Sequence, residues 1–327
     1  MKILVTGGTG FTGAALVLRL LKSGHQVRSL DYQEGICFDE LRKAGAELII
    51  GSIADWHTVD RSMEGIEFVF HLAAAFRELN VPNKYYRDVN VGGTRNVMES
   101  AKKHHIKKVV YCSTQGVHGH INNPPGDENS PIAPEDYYQQ TKYEGEVVVR
   151  EYIKEGANAT IIRPTAIYGP GDPGRFLMIF KRVKKGHFPM FGLGETFYHP
   201  VYIDNLVDAF VLTMKPDRGK GEVYIIADEE YLTIKTLVEK VGNAMNTPVK
   251  INHYPMLPVV IAGHIVEKVC KPFGITPPIF PRRVDWYRQN RAFKINRAKN
   301  DLGYNPKIGI DEGLRITAQW YREKGYL

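Results

Sequence analysis

The first thirteen residues constrain the fold of this chain more tightly than any other stretch. An apolar run, KILV at residues 2 to 5, leads directly into TGGTGFTG at residues 6 to 13, and apolar residues at helical spacing follow from Gly13 to Ser23. Glycines at this density let the backbone turn sharply and approach its neighbours closely. The stretch therefore predicts a strand, a tight turn and a helix that packs back against the strand.

Two glycine patterns overlap in this turn. Gly8, Gly10 and Gly13 form G-x-G-x-x-G, and Gly7, Gly10 and Gly13 form G-x-x-G-x-x-G. Either pattern would place the pyrophosphate of a dinucleotide at the N-terminus of the helix, where unpaired N–H groups and the helix dipole favour negative charge. The alternative is a turn that packs the strand on the helix and binds nothing. The spacing alone does not decide between the two patterns.

An acidic residue stands where such a site would need one. Asp31 closes the next apolar run, VRSLD, and no arginine follows it directly. A carboxylate at this position accepts hydrogen bonds from ribose hydroxyls and repels a 2′-phosphate. The sequence therefore favours NAD over NADP as the cofactor.

The first half of the chain alternates between short apolar runs and helical patterns. The apolar runs lie at residues 3–5, 27–30, 48–50, 68–70, 109–112 and 159–162, and the helical patterns between them lie at 13–23, 38–44, 58–63, 85–104 and 138–154. Such alternation is typical of a parallel sheet with helices on both faces. We therefore predict an α/β fold, a Rossmann doubly wound parallel sheet with a smaller, mainly helical C-terminal substrate domain.

The rhythm breaks after Arg163. Gly, Pro and Asp crowd into YGPGDPG at 168–174, and we expect loops as far as about His199. A helical pattern at 205–214 and an apolar run at 222–227 then return to the sheet. We therefore assign residues 1–164 plus 199–228 to an NAD-binding Rossmann domain, and residues 165–198 plus 229–327 to a substrate-binding domain. The proline-rich ITPPIFPRR is expected to be loop.

A tyrosine and a lysine are placed for proton transfer. Tyr138 and Lys142 in YYQQTK share one face of a helix. An ammonium group beside a phenol favours the phenolate and lowers the pKa of the phenol, which would suit a general acid or base acting on a hydroxyl group. CSTQGVHG at 112–119 follows the fifth apolar run, so its hydroxyl residues Ser113 and Thr114 would lie at the carboxyl edge of the sheet.

These features, in this order, resemble the extended short-chain dehydrogenases/reductases, the NAD-dependent epimerase/dehydratase group. Further matches are HLAA at 71–74, VNVGGT at 89–94, RPTAIYGPGD at 163–172 and HPVYIDNLVDA at 199–209. That group uses G-x-x-G-x-x-G, so the resemblance selects Gly7, Gly10 and Gly13. It also implies a dimer formed by packing the helices at 85–104 and 138–154 of each subunit into a four-helix bundle.

The resemblance also implies roles for individual residues. Tyr138 would be the acid/base, Lys142 would bind the nicotinamide ribose, Thr114 would hold the reacting oxygen, and Asn90 would brace the site. Ser52-Ile53 stands where the group often has Asp followed by Ile or Leu. The implied cofactor contacts are Gly7, Gly10, Phe11, Thr12, Gly13, Asp31, Ser52, Ile53, Leu72, Ala73, Ala74, Asn90, Ser113, Tyr138, Lys142, Pro164 and Ile167.

Departures from the group bear on the substrate. Gln115 and Gly116 replace the Asp-Glu pair of the sugar dehydratases, and neither can exchange a proton, which argues against a dehydratase. Ala166 and Tyr198 replace an Asn and an Arg that contact the diphosphate of nucleotide sugars, whereas Arg282 resembles a later phosphate-binding Arg. We therefore list Thr114, Gln115, Ala166, Tyr198 and Arg282 as substrate contacts.

Three functions are compatible with this pattern. YHPVYIDNLVDA and the C-terminal tail are closest to the 3β-hydroxysteroid and sterol dehydrogenase branch, which favours NAD-dependent oxidation of an alicyclic secondary alcohol or reduction of its ketone. The alternatives are a nucleotide-sugar 4-epimerase or 4-ketoreductase, and an NAD-binding sensor without turnover. The apolar stretch at 256–269 would either line an apolar pocket or, as we prefer, form a core helix of the small domain.

Composition excludes other classes. The formal net charge of +7 over 327 residues is modest, and we interpret it as a solvated surface that would favour an anionic ligand, not nucleic acid. The three distant cysteines and the absence of a signal or membrane-spanning pattern predict a reduced, cytoplasmic protein. His104, His105, His118 and His120 lack partners at metal-ligand spacing, so no metal is expected.

Overall fold

The computed structural model describes residues 1–76, 81–172, 174–215, 217–270 and 286–327. The strands of the described part are β1 (Lys2–Thr6), β2 (Gln26–Asp31), β3 (Glu47–Ile50), β4 (Phe68–His71), β5 (Lys108–Cys112), β6 (Ala159–Pro164), β7 (Ala166–Tyr168), β8 (His187–Phe191), β9 (Phe197–Tyr198), β10 (Pro200–Tyr202), β11 (Val223–Ile226), β12 (Leu232–Thr233) and β13 (Lys250–Tyr254).

The helices surround these strands. They are α1 (Phe11–Lys22), α2 (Phe38–Lys43), α3 (Trp56–Ser62), α4 (Asn83–Arg87), α5 (Thr94–Lys103), α6 (Tyr137–Lys154), α7 (Arg175–Val183), α8 (Ile203–Leu212), α9 (Ile234–Met245), α10 (Met256–Cys270) and α11 (Ile310–Glu323). A π-helical stretch, Asp88–Gly93, joins α4 to α5 into one continuous helical segment.

A parallel sheet of seven strands forms the centre of the molecule, in the order β11-β6-β5-β4-β1-β2-β3. Successive residues of β1 enter different cores: Ile3 and Val5 face one hydrophobic cluster, and Leu4 faces the other. A strand buried on both faces needs an unbroken apolar run, which explains the continuous ILV of the sequence. The predicted doubly wound α/β fold is confirmed.

The strand order places the ligand-binding edge. The chain runs from β1 outward to β2 and β3, then returns to the other side of β1 at β4. The connections therefore diverge between β1 and β4, which opens a crevice at the carboxyl ends of these strands. The glycine turn and residues 72–74 lie at that crevice.

The expectation of loops from Arg163 to His199 was wrong. The structure has α7 in this stretch and pairs β8 with β13 and β7 with β10. The apolar residues of α7 bury one helical face, with Phe176, Phe180 and Val183 at 1% exposure or less. The flanking Gly and Pro residues hid this helical spacing.

The stretch at 256–269 is helical, but the expected core helix was wrong. Four apolar side chains of α10 are half or more exposed. The predicted loop ITPPIFPRR lies outside the described residues. Among the described helices, none has the length and apolar character that crossing a membrane requires.

Candidate functional site

Two glycines of the β1–α1 turn are required by packing. Gly7 has φ +70°, its N–H donates to the Leu30 carbonyl at 2.8 Å, and a Cβ there would lie 2.8 Å from the backbone N of Ala73. A Cβ on Gly13 would lie 2.1 Å from the Gly7 carbonyl oxygen. Both positions must therefore be glycine for the turn to fit between the strands and α1.

Gly10 is glycine for a different reason. A Cβ built on it would meet only the Gly7 carbonyl oxygen, at an ordinary contact distance of 3.5 Å. Gly10 is the N-cap of α1, no side chain caps this end, and the first turn has no acidic residue. The N–H groups of Phe11, Thr12 and Gly13 belong to the first turn and have no partner within the helix. The turn therefore has an open side where an anionic group fits against the helix N-terminus.

Asp31 lies beside this turn at the end of β2, as the sequence predicts. Its Oδ2 accepts hydrogen bonds from the backbone N of Thr9 at 3.1 Å and from Thr9 Oγ1 at 2.7 Å. Its Oδ1 accepts from the backbone N of Tyr32 at 2.9 Å. The carboxylate thus holds the glycine turn in place. Sequence reasoning missed Thr9, although a hydroxyl residue between the glycines was a usable signal.

The far side of the crevice is formed by the segments after β3 and β4. Ile53 is buried, and its Cδ1 would lie 2.7 Å from a Cβ on Gly93. Ser52 Oγ accepts from the backbone N of Ala54, so its hydroxyl shapes a turn. Leu72, Ala73 and Ala74 are partly buried beside the glycine turn.

A buried hydrogen-bond chain connects this edge to the helical segment behind it. His71 is fully buried, and burial lowers the pKa of its imidazole to about 3, so the ring is neutral. On one side of the ring, His71 Nδ1 lies 2.7 Å from Thr6 Oγ1, which also accepts a hydrogen bond from Ala73 N. On the other side, His71 Nε2 lies 3.1 Å from Thr94 Oγ1, which donates to the Asn90 carbonyl. Only the Nε2–H tautomer satisfies every link. The side chains in this series of hydrogen bonds, Thr6, His71 and Thr94, were not among the site residues predicted from the sequence.

Asn90 connects the segment after β4 to the helix that carries Tyr138. Its Oδ1 accepts from Ala75 N at 2.8 Å, and its Nδ2 donates to the Ala75 carbonyl and to Thr141 Oγ1. Thr141 in turn donates to the Tyr138 carbonyl. Its amide thus ties the segment after β4 to the first turn of α6.

Tyr138 occupies the first turn of α6 because Asp136 caps the helix just before it begins at Tyr137. The Asp136 side chain caps the helix by accepting from Gln139 N at 2.8 Å, and the Gln139 side chain accepts from Glu135 N. This reciprocal arrangement fixes the start of the helix. Tyr138 packs against the ring of Phe76, with the centroids 4.8 Å apart. Phe76 is 48% exposed, and sequence analysis had not singled it out.

Lys142 is buried one turn further along α6. Its Nζ lies 4.3 Å from the centroid of the Tyr111 ring. Burial lowers the pKa of this ammonium group to about 8, an effect that the nearby Cys112 and Glu146 oppose. At neutral pH the group remains mostly charged, so it can stabilise a neighbouring negative charge.

The segment after β5 brings hydroxyl and amide groups to the same edge. Thr114 Oγ1 accepts from Gly116 N at 3.0 Å and so caps a short 3₁₀ turn, Gln115–His118. Gln115 is buried, and its Oε1 has no hydrogen-bond partner among the described residues. Ser113 points inward, where its Oγ donates to Glu146 Oε1 at 2.5 Å.

A buried ion pair lies beneath these groups. Arg163 donates to both carboxylate oxygens of Glu146, at 2.8 and 2.6 Å, and to His118 Nε2 at 2.9 Å. Because Arg163 can only donate, His118 accepts at Nε2 and donates from Nδ1 to backbone carbonyls near Ser130. Burial and Arg163 lower the pKa of His118, in agreement with a neutral ring. Glu146, four residues after Lys142, was a signal that sequence analysis did not use.

The residues predicted to contact the substrate lie in different surroundings, and one of them is outside the described residues. Pro164 ends β6, and Ala166 and Ile167 follow in β7, which pairs with β10. Tyr198 is buried beside Phe176 and Trp286, and its hydroxyl has no hydrogen-bond partner in the described part of the chain. Arg282 lies outside the described residues.

The described ranges hold no group of three or more His, Cys, Asp and Glu side chains that could bind a metal.

Comparison with known proteins identifies the family. A model of the NAD dependent epimerase/dehydratase family matches residues 3–227, more than half of the chain. The chain belongs to this family.

The similar proteins include both epimerases and a dehydrogenase. The chain is 28% identical, over 97% of its length and 94% of the relative's, to the N-acetyl-alpha-D-glucosaminyl-diphospho-ditrans,octacis-undecaprenol 4-epimerase of Escherichia coli O157:H7. It is 30% identical, over 98% of its own length and 90% of the relative's, to a 3 beta-hydroxysteroid dehydrogenase/Delta 5-->4-isomerase of Mycobacterium tuberculosis. The Thermotoga maritima UDP-glucose 4-epimerase with UDP-glucose superposes with a TM-score of 0.80, at 25% identity and 99% coverage of both chains.

Membership in this family makes the chain an NAD-dependent enzyme of the oxidoreductase type, and the open side of the glycine turn fits that cofactor. When bound, the nicotinamide of NAD supplies the hydride acceptor or donor. A pyrophosphate would lie against the backbone at Gly10, since among the described residues only the Gly7 carbonyl oxygen comes within 4 Å of a Cβ built there.

Gly10→Ala should therefore separate binding from folding. The backbone at Gly10, φ −76° and ψ 175°, is open to alanine, so the free energy of unfolding without NAD should stay equal or rise by up to about 1 kcal/mol. The added methyl group should raise the Kd for NAD at least about tenfold, because it occupies the space of the pyrophosphate. Urea unfolding and calorimetric titration measure the two quantities.

Gly309→Ala is the matched control. Gly309 is also a helix N-cap, with φ −74° and ψ 164°, and a Cβ on it meets no atom within 4 Å. This variant should bind NAD like the parent. Parent affinity in Gly10→Ala would show that NAD does not approach this turn.

Proposed function

We propose that the protein transfers hydride between NAD and a secondary alcohol or ketone on an apolar, alicyclic substrate of sterol-like character. The observation that carries the proposal is that Lys142, one turn after Tyr138 on α6, is buried against Tyr111 of β5, the strand that leads to Thr114. The half-exposed ring of Phe76 packs against Tyr138.

Each residue has a distinct part in the proposed reaction. Thr114 and Tyr138 hold the reacting oxygen by hydrogen bonds, and Tyr138 accepts the hydroxyl proton as hydride leaves the carbinol carbon. Lys142, protonated at neutral pH despite its lowered pKa, stabilises the phenolate form of Tyr138 through its charge. Asn90 and the Glu146–Arg163 pair keep α6 in position relative to the strand ends.

The surroundings support an apolar substrate. Ala166 offers no polar side-chain atom, and Tyr198 is buried among aromatic rings instead of offering a cation to a diphosphate. A desolvated diphosphate without donors would be costly. The similarity to a hydroxysteroid dehydrogenase supports the same substrate class.

Tyr138→Phe is expected to lower kcat about 10²–10⁴-fold while leaving the Kd for NAD within about twofold, because only the proton-transferring oxygen is lost. The measurement is NADH formation from 3β-hydroxysteroids, with NAD binding followed by calorimetry. Tyr137→Phe is the control, since Tyr137 is the neighbouring phenol on the same helix and packs against Tyr86. Parent turnover in Tyr138→Phe would refute the assigned acid/base.

Phe76→Ala should weaken apolar substrates selectively. Losing the apolar contact with the Phe76 ring should raise the KM for a steroid alcohol by roughly tenfold or more. The KM for cyclohexanol, which is too small to reach Phe76 from the reacting carbon, should change little. Phe76→Leu keeps apolar volume beside Tyr138 and should restore most of the steroid KM. Equal losses for both alcohols would mean that Phe76 only supports Tyr138.

A 4-epimerase acting on a diphospho-linked sugar is the second candidate. Two buried oxygens without partners in the described part of the chain, Gln115 Oε1 and Tyr198 Oη, are suited to sugar hydroxyl groups, and one relative is a 4-epimerase. An epimerase returns the hydride within one turnover, so sugar interconversion without net NADH would favour this candidate. A rise in melting temperature with UDP, and none with steroid, would do the same.

We further propose the predicted division into domains, 1–164 plus 199–228 for NAD and 165–198 plus 229–327 for substrate. The described cysteines are free, which supports a reducing compartment, the cytoplasm.

Self-association is proposed through the segment Asn83–Lys103 and α6, as a four-helix bundle across two subunits. Val147 is exposed on α6 and would be central to such a contact.

The parent should have a light-scattering mass of about twice 37.0 kDa, and Val147→Glu should approach the mass of one chain, since a buried unpaired carboxylate opposes association. Val147→Ala is the control and should remain a dimer. A parent mass of a single chain would refute the bundle.

A further inference from the structure

α10 presents an apolar row to solvent. Leu257, Ile261, Ile265 and Val269 are 69%, 50%, 57% and 58% exposed. They are spaced four residues apart, so they follow one another along one side of the helix. Single exposed apolar residues are common, but a continuous row of this length indicates a surface that contacts something else.

The same part of the chain carries most of the net charge. Residues 250–294 contain eight Lys and Arg residues and two acidic ones, whereas the whole chain has a net charge of only +7. Lys250, Lys268 and Lys294 are exposed in the structure. An apolar row within a strongly basic segment matches a partner that is both apolar and anionic.

Charge and length narrow the choice of partner. In a symmetric contact between two copies the same patch meets itself, so this basic segment would face its own charge. Nucleic acid would use the cations but not the apolar row. With 15 residues, α10 is about 22 Å long, too short for a hydrocarbon core of about 30 Å.

We propose that α10 docks the protein on the surface of an anionic lipid bilayer. The helix lies in the plane of the interface, its four apolar side chains enter the acyl boundary, and the exposed Lys268 of the same helix contacts anionic headgroups. None of the four apolar residues of this row has a part in the proposed reaction, so the inference does not depend on the proposed function.

The test is co-sedimentation of the full chain with vesicles. Vesicles of phosphatidylcholine with 30% phosphatidylglycerol should pellet the protein, and pure phosphatidylcholine should pellet much less. Raising the salt to 0.5 M should weaken binding, because it screens the headgroup attraction. Ile261→Glu with Ile265→Glu should reduce the partition coefficient more than tenfold. Lys268→Glu should reduce it about fivefold or more, since one cation is replaced by an anion.

Ile50→Glu is the matched control. Ile50 is 49% exposed on β3, the edge strand of the sheet, almost the same exposed fraction as Ile261, and this variant should bind vesicles like the parent. Melting temperatures with NAD verify that each variant is folded.

Three results would overturn the proposal. Equal binding to neutral and anionic vesicles would remove the role of the basic segment. Equal losses in Ile50→Glu would remove the role of α10. No vesicle binding, together with concentration-dependent association abolished by Ile261→Glu, would assign the surface to a second copy of the chain.

Discussion

The buried ion pair between Glu146 and Arg163 is the interaction on which the candidate site depends. The carboxylate is fully buried and the guanidinium is 2% exposed. Removing two charges from water costs several kcal/mol per ion, and the structure offsets this cost with a bidentate contact and hydrogen bonds from Ser113 and to His118. The pair joins α6 to the ends of β5 and β6, so loss of either partner would leave a buried charge uncompensated and release the elements that carry Thr114 and Tyr138.

The ion pair also affects the charge state of the site. Lys142 lies one helical turn before Glu146, and both are buried in α6. Burial alone would push Lys142 toward its neutral form, which could not stabilise a phenolate. Cys112 and, after it, the Glu146 carboxylate oppose that shift, and the pKa lies near 8, so the ammonium persists at neutral pH. Glu146 therefore holds the helix in place and also contributes to keeping the charge that the proposed chemistry needs.

Backbone proximity explains the shape of the glycine turn in the candidate site. Gly13 must be glycine because α1 packs onto the Gly7 carbonyl, and Gly7 must be glycine because Ala73 passes directly beside it. These contacts leave the open side of the turn at Gly10. Asp31 and Thr9 then lock the turn to β2. The site is thus a consequence of how closely β1, β2 and β4 approach one another.

Much of the fold and part of the site could be predicted from local signals. The apolar run and the glycines before α1 indicate a strand, a turn and a helix, and four-residue spacing places Tyr138 and Lys142 on one face. Flanking glycines and prolines masked the helical period of α7, so that helix was missed. Thr9, His71 and Phe76 were missed because each depends on a neighbour distant in sequence.

The sequence by itself determined the parallel α/β sheet, the cofactor turn and the Tyr-x-x-x-Lys helix, because these follow from short-range periodicity and from the conformational freedom of glycine. The tertiary structure alone decided that Phe76 packs on Tyr138, that Glu146 pairs with Arg163, and that α10 exposes its apolar row. Burial and pairing are set by the elements that pack around a residue, and no local pattern records which elements those will be.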